Sequence, residues 1–346
     1  MAYAPEVPSN DVPPYLMQDL VSALINCPKG SGVTITCAQA LGTEVYIGCS
    51  NGQLMRYALQ ANSPDEPMSY DLVSRQNITA DKPVEDIVLV PSIFRALVFA
   101  DRQLSIYTLP SLEMTAIKPI RNAVTFAVDN DHLRRPAPDD NQLVPVALTI
   151  VKRSGLALFT LSDRLFYQQE IPFQGGLVAR RIGQSLCVAD KEFFSIVNLE
   201  QSVAFQIMPV NQVMDDKPIK PLVLEIHGED EYLVISWMGA SAMGVFINTN
   251  GDPVRGTLEY EEYPVSVCMD FPYIVAVLPN NTIVVHNIET QSVVQTIPVP
   301  ENLHVRALVS CLEGYLVPSN METEKMRKTS VRLLREPSPP PPTVEE

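Results

Sequence analysis

Short apolar runs separated by turn signals dominate the chain, and the clearest set lies at residues 260–299. Apolar and polar residues alternate over Val265–Met269, which is the two-residue period of a strand with unlike faces. Ile274–Leu278 is wholly apolar, as expected of a strand covered on both sides, and the β-branched run Thr282–Ile288 follows a Pro-Asn-Asn turn. The last run, Val293–Ile297, ends at prolines that suit an edge strand. Four such strands predict one blade of a β-propeller.

Similar pairs of apolar runs recur along the chain at a nearly constant spacing. The first pair flanks Asn51-Gly52, a strong hairpin signal because both residues tolerate positive φ. The predicted hairpins are centred near residues 51, 102, 153, 191, 241, 280 and 324. Their mean spacing of about 45 residues is typical of propeller repeats. We therefore predict an all-β fold, a seven-bladed β-propeller that forms one domain over residues 15–335.

The two ends of the chain differ from this repeat. Residues 1–14 are proline-rich and acidic, which predicts a flexible tail. The seventh hairpin, predicted at 315–317 and 331–334 around a loop at 318–330, has few strands of its own. We expect the apolar segment Tyr15–Ile25 to pair into this last blade and close the ring, the alternative being a surface helix or arm. Residues 336–346, EPSPPPPTVEE, predict a stiff, proline-rich linker.

Composition and charge restrict the partners that we expect. The 346 residues carry a net charge of −15, which disfavours nucleic-acid backbones and anionic lipid surfaces. Membrane contact is therefore expected only indirectly, through protein partners. None of the six cysteines forms a CxxC motif and no secretory signal is present, so we expect reduced, buried thiols in a cytoplasmic protein.

Motifs that carry catalytic or cofactor chemistry are missing from the sequence. The four histidines have no metal-ligand spacing, and no phosphate-binding or dinucleotide-binding glycine loop occurs. Acidic pairs such as Asp215-Asp216 fall between the predicted blades, where solvated charge is the better interpretation. A propeller enzyme would need convergent polar residues at its central channel, and no repeated acid or metal ligand predicts them. We expect no enzyme activity, no catalytic residue, no cofactor and no metal.

Two sets of residues are candidates for binding a partner. The fifth predicted hairpin carries Trp237, Met238 and Met243, and exposed aromatic and Met side chains often anchor partners. The alternative interpretation is that Trp237 packs between blades and does not contact a partner. Basic pairs on an acidic chain suit an acidic partner, although solvated loop charges are the simpler interpretation. These pairs are Arg134 with Arg135, Lys152 with Arg153, and Arg180 with Arg181.

Several segments resemble citron homology (CNH) domains. The stretch 231–256 is similar to a family segment in Gly244-Val245-Phe246-Ile247-Asn248, Gly251 and Arg255. The stretch 271–299, FPYIVAVLPNNTIVVHNIETQSVVQTIPV, is similar to the segment that follows in that family. The first hairpin also resembles the family, and residues 82–113 resemble the version found in its tethering-complex branch. The resemblance spans residues 20–335 and points to the CORVET vacuolar-sorting branch of the family, which is related to transforming growth factor-β receptor-associated protein.

The resemblance implies that an α-solenoid follows the propeller and its proline-rich linker. It also implies a non-enzymatic role in endosomal and vacuolar vesicle fusion. The domain is expected to recognise a GTP-loaded early-endosomal Rab-type GTPase on endosome or vacuole membranes. Other tethering-complex subunits are expected as further partners. Two alternatives stay open. The chain could belong to the late-endosomal or vacuolar sister tether, or it could be a CNH regulatory scaffold in signalling.

Overall fold

A computed structural model describes residues 15–21, 32–60, 69–134, 143–213, 218–226, 228–299, 309–311, 314–318 and 323–328. The predicted tail 1–14 and linker 336–346 lie outside these residues. Every described strand belongs to a four-stranded antiparallel sheet. The prediction of an all-β propeller is therefore confirmed, whereas the predicted number of seven blades is wrong.

Six blades each consist of four strands that are consecutive in the chain. After a first strand, β1 (Tyr15–Val21), blade 1 contains β2 (Ile35–Leu41), β3 (Glu44–Cys49), β4 (Gln53–Gln60) and β5 (Ser69–Asn77). Blade 2 contains β6 (Val84–Val90), β7 (Arg95–Ala100), β8 (Gln103–Thr108) and β9 (Ile120–Arg121). Blade 3 contains β10 (Thr125–Val128), β11 (Val146–Val151), β12 (Gly155–Leu161) and β13 (Leu165–Pro172).

Blade 4 contains β14 (Val178–Ile182), β15 (Ser185–Ala189), β16 (Phe193–Asn198) and β17 (Val203–Pro209). Blade 5 contains β18 (Leu222–Ile226), β19 (Glu231–Trp237), β20 (Ala242–Asn248) and β21 (Pro253–Tyr260). Blade 6 contains β22 (Ser266–Asp270), β23 (Tyr273–Val277), β24 (Thr282–Asn287) and β25 (Ser292–Pro298). Short 3₁₀ segments at Pro91–Ile93 and Asn130–Arg134 follow β6 and β10.

The predicted seven-bladed architecture is corrected by this topology. Blades of four consecutive strands number six, not seven, because the last predicted hairpin supplies only three strands: β26 (Val309–Cys311), β27 (Gly314–Pro318) and β28 (Thr323–Lys328). Their fourth partner is β1, which pairs with β28 so that Tyr15 lies opposite Lys328. We call this group of four strands the composite sheet. Strand β28 lies inside the segment 318–330 that we expected to be a loop, because its charged residues give no apolar period.

Blade-on-blade packing forms the core. Buried side chains cluster between blades 1 and 2, 2 and 3, 3 and 4, 4 and 5, and 5 and 6. For example, the rings of Phe99 in blade 2 and Phe126 in blade 3 are 5.9 Å apart. The second strands are the most deeply covered, and all seven residues of β19 are buried. Outer strands such as β13 and β17 are largely exposed.

The first strand of each blade lies innermost, beside the first strands of its neighbours. These strands run in the same direction, as the parallel bridge between Asp129 and Arg181 shows. The turns of all blades therefore fall on two opposite faces. We call the face with the turns between first and second strands, such as 183–184, the inner-turn face. The face with the turns between second and third strands, such as 152–154 and 238–241, is the middle-turn face.

A tyrosine hydroxyl joins blades 4 and 5 in the interior. Tyr232 on β19 donates to the carbonyl of Ser185 at 2.9 Å and accepts from the N–H of Ile182 at 3.1 Å. Its side chain is fully buried. The hydroxyl therefore satisfies a donor and an acceptor of the neighbouring blade that water cannot reach.

Tyr232→Phe should lower the free energy of unfolding by about 1–3 kcal/mol, because it leaves two buried backbone groups without a partner. Urea denaturation measures the change. The matched control is Tyr167→Phe on the exposed strand β13, which should stay within about 0.5 kcal/mol of the parent chain. Equal stabilities of the two variants would show that this hydroxyl does not hold the blades together.

Candidate functional site

The candidate residues of the fifth hairpin have three different environments. Trp237 ends β19, is 6% exposed and belongs to the core between blades 5 and 6, which matches the packing alternative. The backbone N–H of Trp237 donates to the carbonyl of Val210 at 2.9 Å. Met238 follows in the turn and is 41% exposed, whereas Met243 on β20 is half-buried. Met238 is thus the residue of this set that presents a large apolar side chain on the middle-turn face.

Members of two of the three basic pairs lie at turns of the propeller. Arg153 is exposed in the turn 152–154, and Lys152 forms an ion pair of 3.2 Å with Glu170. This turn shares the middle-turn face with Met238. Arg134 ends the 3₁₀ segment on the opposite, inner-turn face, and Arg135 lies outside the described residues. The structure therefore does not bring all the basic candidates together.

The third basic pair lies on the innermost strand of blade 4, not in a loop. Arg181 is 3% exposed, and its guanidinium donates to Oγ1 of Thr149 at 3.0 Å and to the carbonyl of Gly183 at 2.9 Å. Burial lowers the pKa of Arg181, and the charge of Asp129 opposes that shift. Arg181 therefore links blades 3 and 4. This position corrects the interpretation of the pair as solvated loop charge.

Arg180 faces the centre of the ring, where it lines a cavity of about 410 Å³. We call this space the channel cavity. Its polar lining comes from five blades: Gln39, Asp86, Asn130, His132, Arg180 and Glu225. Its apolar lining includes Leu41, Val88, Leu89, Phe126 and Leu133. Leu41 and Leu133 are 37% and 53% exposed, so the cavity reaches the surface at the inner-turn face.

Two carboxylates in the channel cavity are held by backbone donors. Oε1 of Glu225 accepts from the N–H of Arg181 at 3.0 Å, and Oδ1 of Asp86 accepts from the N–H of Ile87 at 2.8 Å. Burial raises the pKa of Glu225 to about 7, against the opposing charge of Arg180. Burial also raises the pKa of Asp86, and Arg180 again opposes the shift. Both carboxylates are therefore poorly solvated, and each retains acceptor capacity toward the cavity.

Asp86, Asn130 and Glu225 were not predicted as site residues from the sequence. Two of them had a readable signal, since Asp86 and Glu225 each interrupt an apolar strand run, VEDIVLV and LVLEI. An acid at such a position points either to solvent or to the channel. Nothing in the sequence predicts that strands from blades 2 and 5 place these acids around one cavity.

One histidine, one motif arginine and four cysteines lie outside the channel cavity and contact other parts of the fold. His286 is 2% exposed and contacts the carbonyl of Glu259 at 3.2 Å. Arg255, which carried part of the resemblance, forms ion pairs with Glu231 at 2.7 Å and Glu229 at 3.3 Å within blade 5. Four cysteines in the described part of the chain are buried: Cys37, Cys49, Cys187 and Cys268. In the described ranges, no three His, Cys, Asp or Glu side chains are grouped to hold a metal ion.

Comparison with known proteins assigns the family. Residues 30–299 match the model of the VPS3 N-terminal domain, which covers well over half of the chain. The chain belongs to the VPS3 N-terminal domain family. Within the described residues, no helix has the length and apolar character needed to cross a membrane.

Relatives of this VPS3-type domain include one protein named for vacuolar sorting and one named for association with a receptor. The chain is 25% identical over 260 residues to vacuolar protein sorting-associated protein 3 of Saccharomyces cerevisiae, covering 71% of this chain and 24% of that protein. It is 26% identical over 306 residues to transforming growth factor-beta receptor-associated protein 1 of Homo sapiens, covering 84% and 34%. The chain thus spans about a quarter to a third of the length of these relatives.

A solved structure described as the AfRom2 CNH domain shares the fold. Its TM-score is 0.57 at 17% identity, and the match covers 87% of this chain and 96% of that one. At this identity the likeness concerns the fold alone. It agrees with the expected CNH-like propeller of the VPS3 family domain.

The raised pKa of Glu225 makes a pH-dependent contribution to stability. Since the native carboxyl keeps its proton where the unfolded chain has lost it, the native state should lose stability as pH rises from about 4.5 to about 7. Glu225→Gln should remove this dependence. The free energy of unfolding of the variant relative to the parent should rise by about 3 kcal/mol across that window.

Urea denaturation at several pH values across the window measures this change. Glu192→Gln, an exposed carboxyl on the middle-turn face, is the matched control and should track the parent chain. A constant difference between Glu225→Gln and the parent at all pH values would contradict the buried, proton-binding state of Glu225.

Proposed function

We propose that this domain belongs to a membrane-tethering subunit of the CORVET type and recognises a GTP-loaded early-endosomal Rab-type GTPase. The role is non-enzymatic and serves vesicle fusion at endosomes and the vacuole. The observation that carries the proposal is the family match over residues 30–299, together with relatives named for vacuolar protein sorting. The domain would reach the membrane through its protein partners and act beside other tethering subunits.

The middle-turn face is the surface we propose for the GTPase. Met238 on this face is 41% exposed and offers an apolar anchor. Arg153 is also exposed there and offers a positive charge that suits an acidic partner. Both stand on short turns between buried strands, so the positions of these side chains are set by the blades. Preference for the GTP-bound state requires contacts that only this state offers, since a ligand shifts a population only by its differential affinity.

Titration of the 346-residue chain against early-endosomal and late-endosomal Rab-type GTPases, each loaded with GTP analogue or GDP, tests the proposal. GTP-dependent binding to the early-endosomal protein is expected. Preference for the late-endosomal GTPase would instead indicate that the chain is a subunit of the sister tether. If a folded sample bound neither GTPase, GTPase recognition by this domain would be excluded and a scaffold role within its complex would be favoured.

Surface variants test which face binds. Met238→Asp and Arg153→Glu should each weaken GTPase binding by about fivefold to tenfold, because each removes one contact worth roughly 1 kcal/mol. The matched control is Arg164→Glu, since this exposed arginine lies on the opposite face. Calorimetric titration gives the three dissociation constants. If only Arg164→Glu lost affinity, the GTPase would bind the inner-turn face and not the middle-turn face.

A further inference from the structure

The channel cavity contains charges of both signs that do not pair with each other. Arg180 comes from blade 4, Asp86 from blade 2 and Glu225 from blade 5. The guanidinium of Arg180 donates to the carbonyl of Ala179 at 2.8 Å. Among the described ion pairs, none within 4 Å joins Arg180 to either carboxylate. Poorly solvated ionisable groups that form no direct ion pair are costly, so a ligand that supplies both signs would gain from each of them.

An unsatisfied acceptor in the same cavity points to a ligand with N–H donors. Asn130 is 5% exposed, and its amide hydrogen-bonds to Glu225. Its Oδ1 atom is buried and has no hydrogen-bond partner. Buried polar atoms are almost always paired, so each exception needs an explanation. A bound ammonium group, which has three donors, would satisfy this oxygen together with the two carboxylates.

We propose that the channel cavity binds a small zwitterion, namely an α-amino acid with an apolar side chain. The ammonium group would lie among Glu225, Asp86 and Oδ1 of Asn130. The carboxylate would accept from the guanidinium of Arg180, the group best suited to planar, two-point recognition of carboxylates. The apolar lining of the cavity, which includes Val88 and Phe126, would contact the side chain.

The size and position of the cavity fit this ligand. Its volume of about 410 Å³ lies within the usual range of small-molecule sites, which are mostly apolar with a few convergent polar groups. It opens at the inner-turn face, beside Leu41 and Leu133. That face is opposite to the surface proposed for the GTPase, so this inference does not depend on GTPase recognition.

Three matched ligands test the need for both charges on the unmodified 346-residue chain. L-Leucine carries both groups, 3-methylbutylamine lacks the carboxylate, and 4-methylpentanoate lacks the amine. Isothermal titration calorimetry should show saturable, one-to-one binding of L-leucine, with each single-charge analogue at least about tenfold weaker. Equal binding of either analogue would overturn the zwitterion assignment. So would the lack of saturable leucine binding at ligand concentrations of about 10 mM.

Two conservative variants test the roles of the cavity residues. Glu225→Gln and Arg180→Gln should each weaken leucine binding by about tenfold, the first through the ammonium and the second through the carboxylate. Arg180→Gln should leave the weak binding of 3-methylbutylamine unchanged or tighter, which a general loss of structure would not do. Glu192→Gln, on the exposed surface, should bind leucine like the parent chain. Unchanged leucine affinity in both cavity variants would place any binding elsewhere.

Discussion

No blade of this propeller can bury both of its faces alone, and the packing of each blade on its neighbours is the constraint on which the rest of the structure depends. Five clusters of buried side chains lie between successive blades from 1 to 6. On the other side of blade 6, Tyr15 of β1 provides the packing contact, since it is 1% exposed and packs against the core of that blade. Its hydroxyl donates to Oδ2 of Asp270 at 3.1 Å, and its backbone exchanges two hydrogen bonds with Gln295. The strand β1 is thereby fixed both to blade 6 and to β28.

This packing explains how one domain can offer two separate surfaces. Because all blades have the same polarity, turns from distant parts of the chain share a face, as Arg153 and Met238 do. The innermost strands meet around the axis, so Asp86, Arg180 and Glu225 face one cavity although they are far apart in sequence. A propeller built this way can present surface turns on one face and a central cavity that opens at the other.

The sequence predicted the parts of the fold that have a strong local pattern. The buried hairpin β23–β24 was placed within one residue of its observed bounds, and the turn between β11 and β12 was placed correctly near residue 153. Apolar runs and turn residues mark both hairpins. The outer strands β13 and β17 went unrecognised, since they are mostly exposed and have no regular period. The predicted pairing of the N-terminal strand with the last hairpin is confirmed, because β1 pairs with β28. Counting hairpins nevertheless gave seven equivalent blades, whereas only six blades consist of four consecutive strands. The channel cavity was missed because it exists only after the strands of five blades meet.

Amide hydrogen exchange across the ring in Tyr15→Ala tests the dependence on blade packing most directly. If the ring is stabilised as one unit, loss of this buried ring should reduce global stability by about 3–5 kcal/mol. Exchange would then accelerate in β11 of blade 3 as well as in β23 of blade 6. Faster exchange confined to β1 and blade 6, with β11 unchanged, would contradict the account and show that the blades unfold independently.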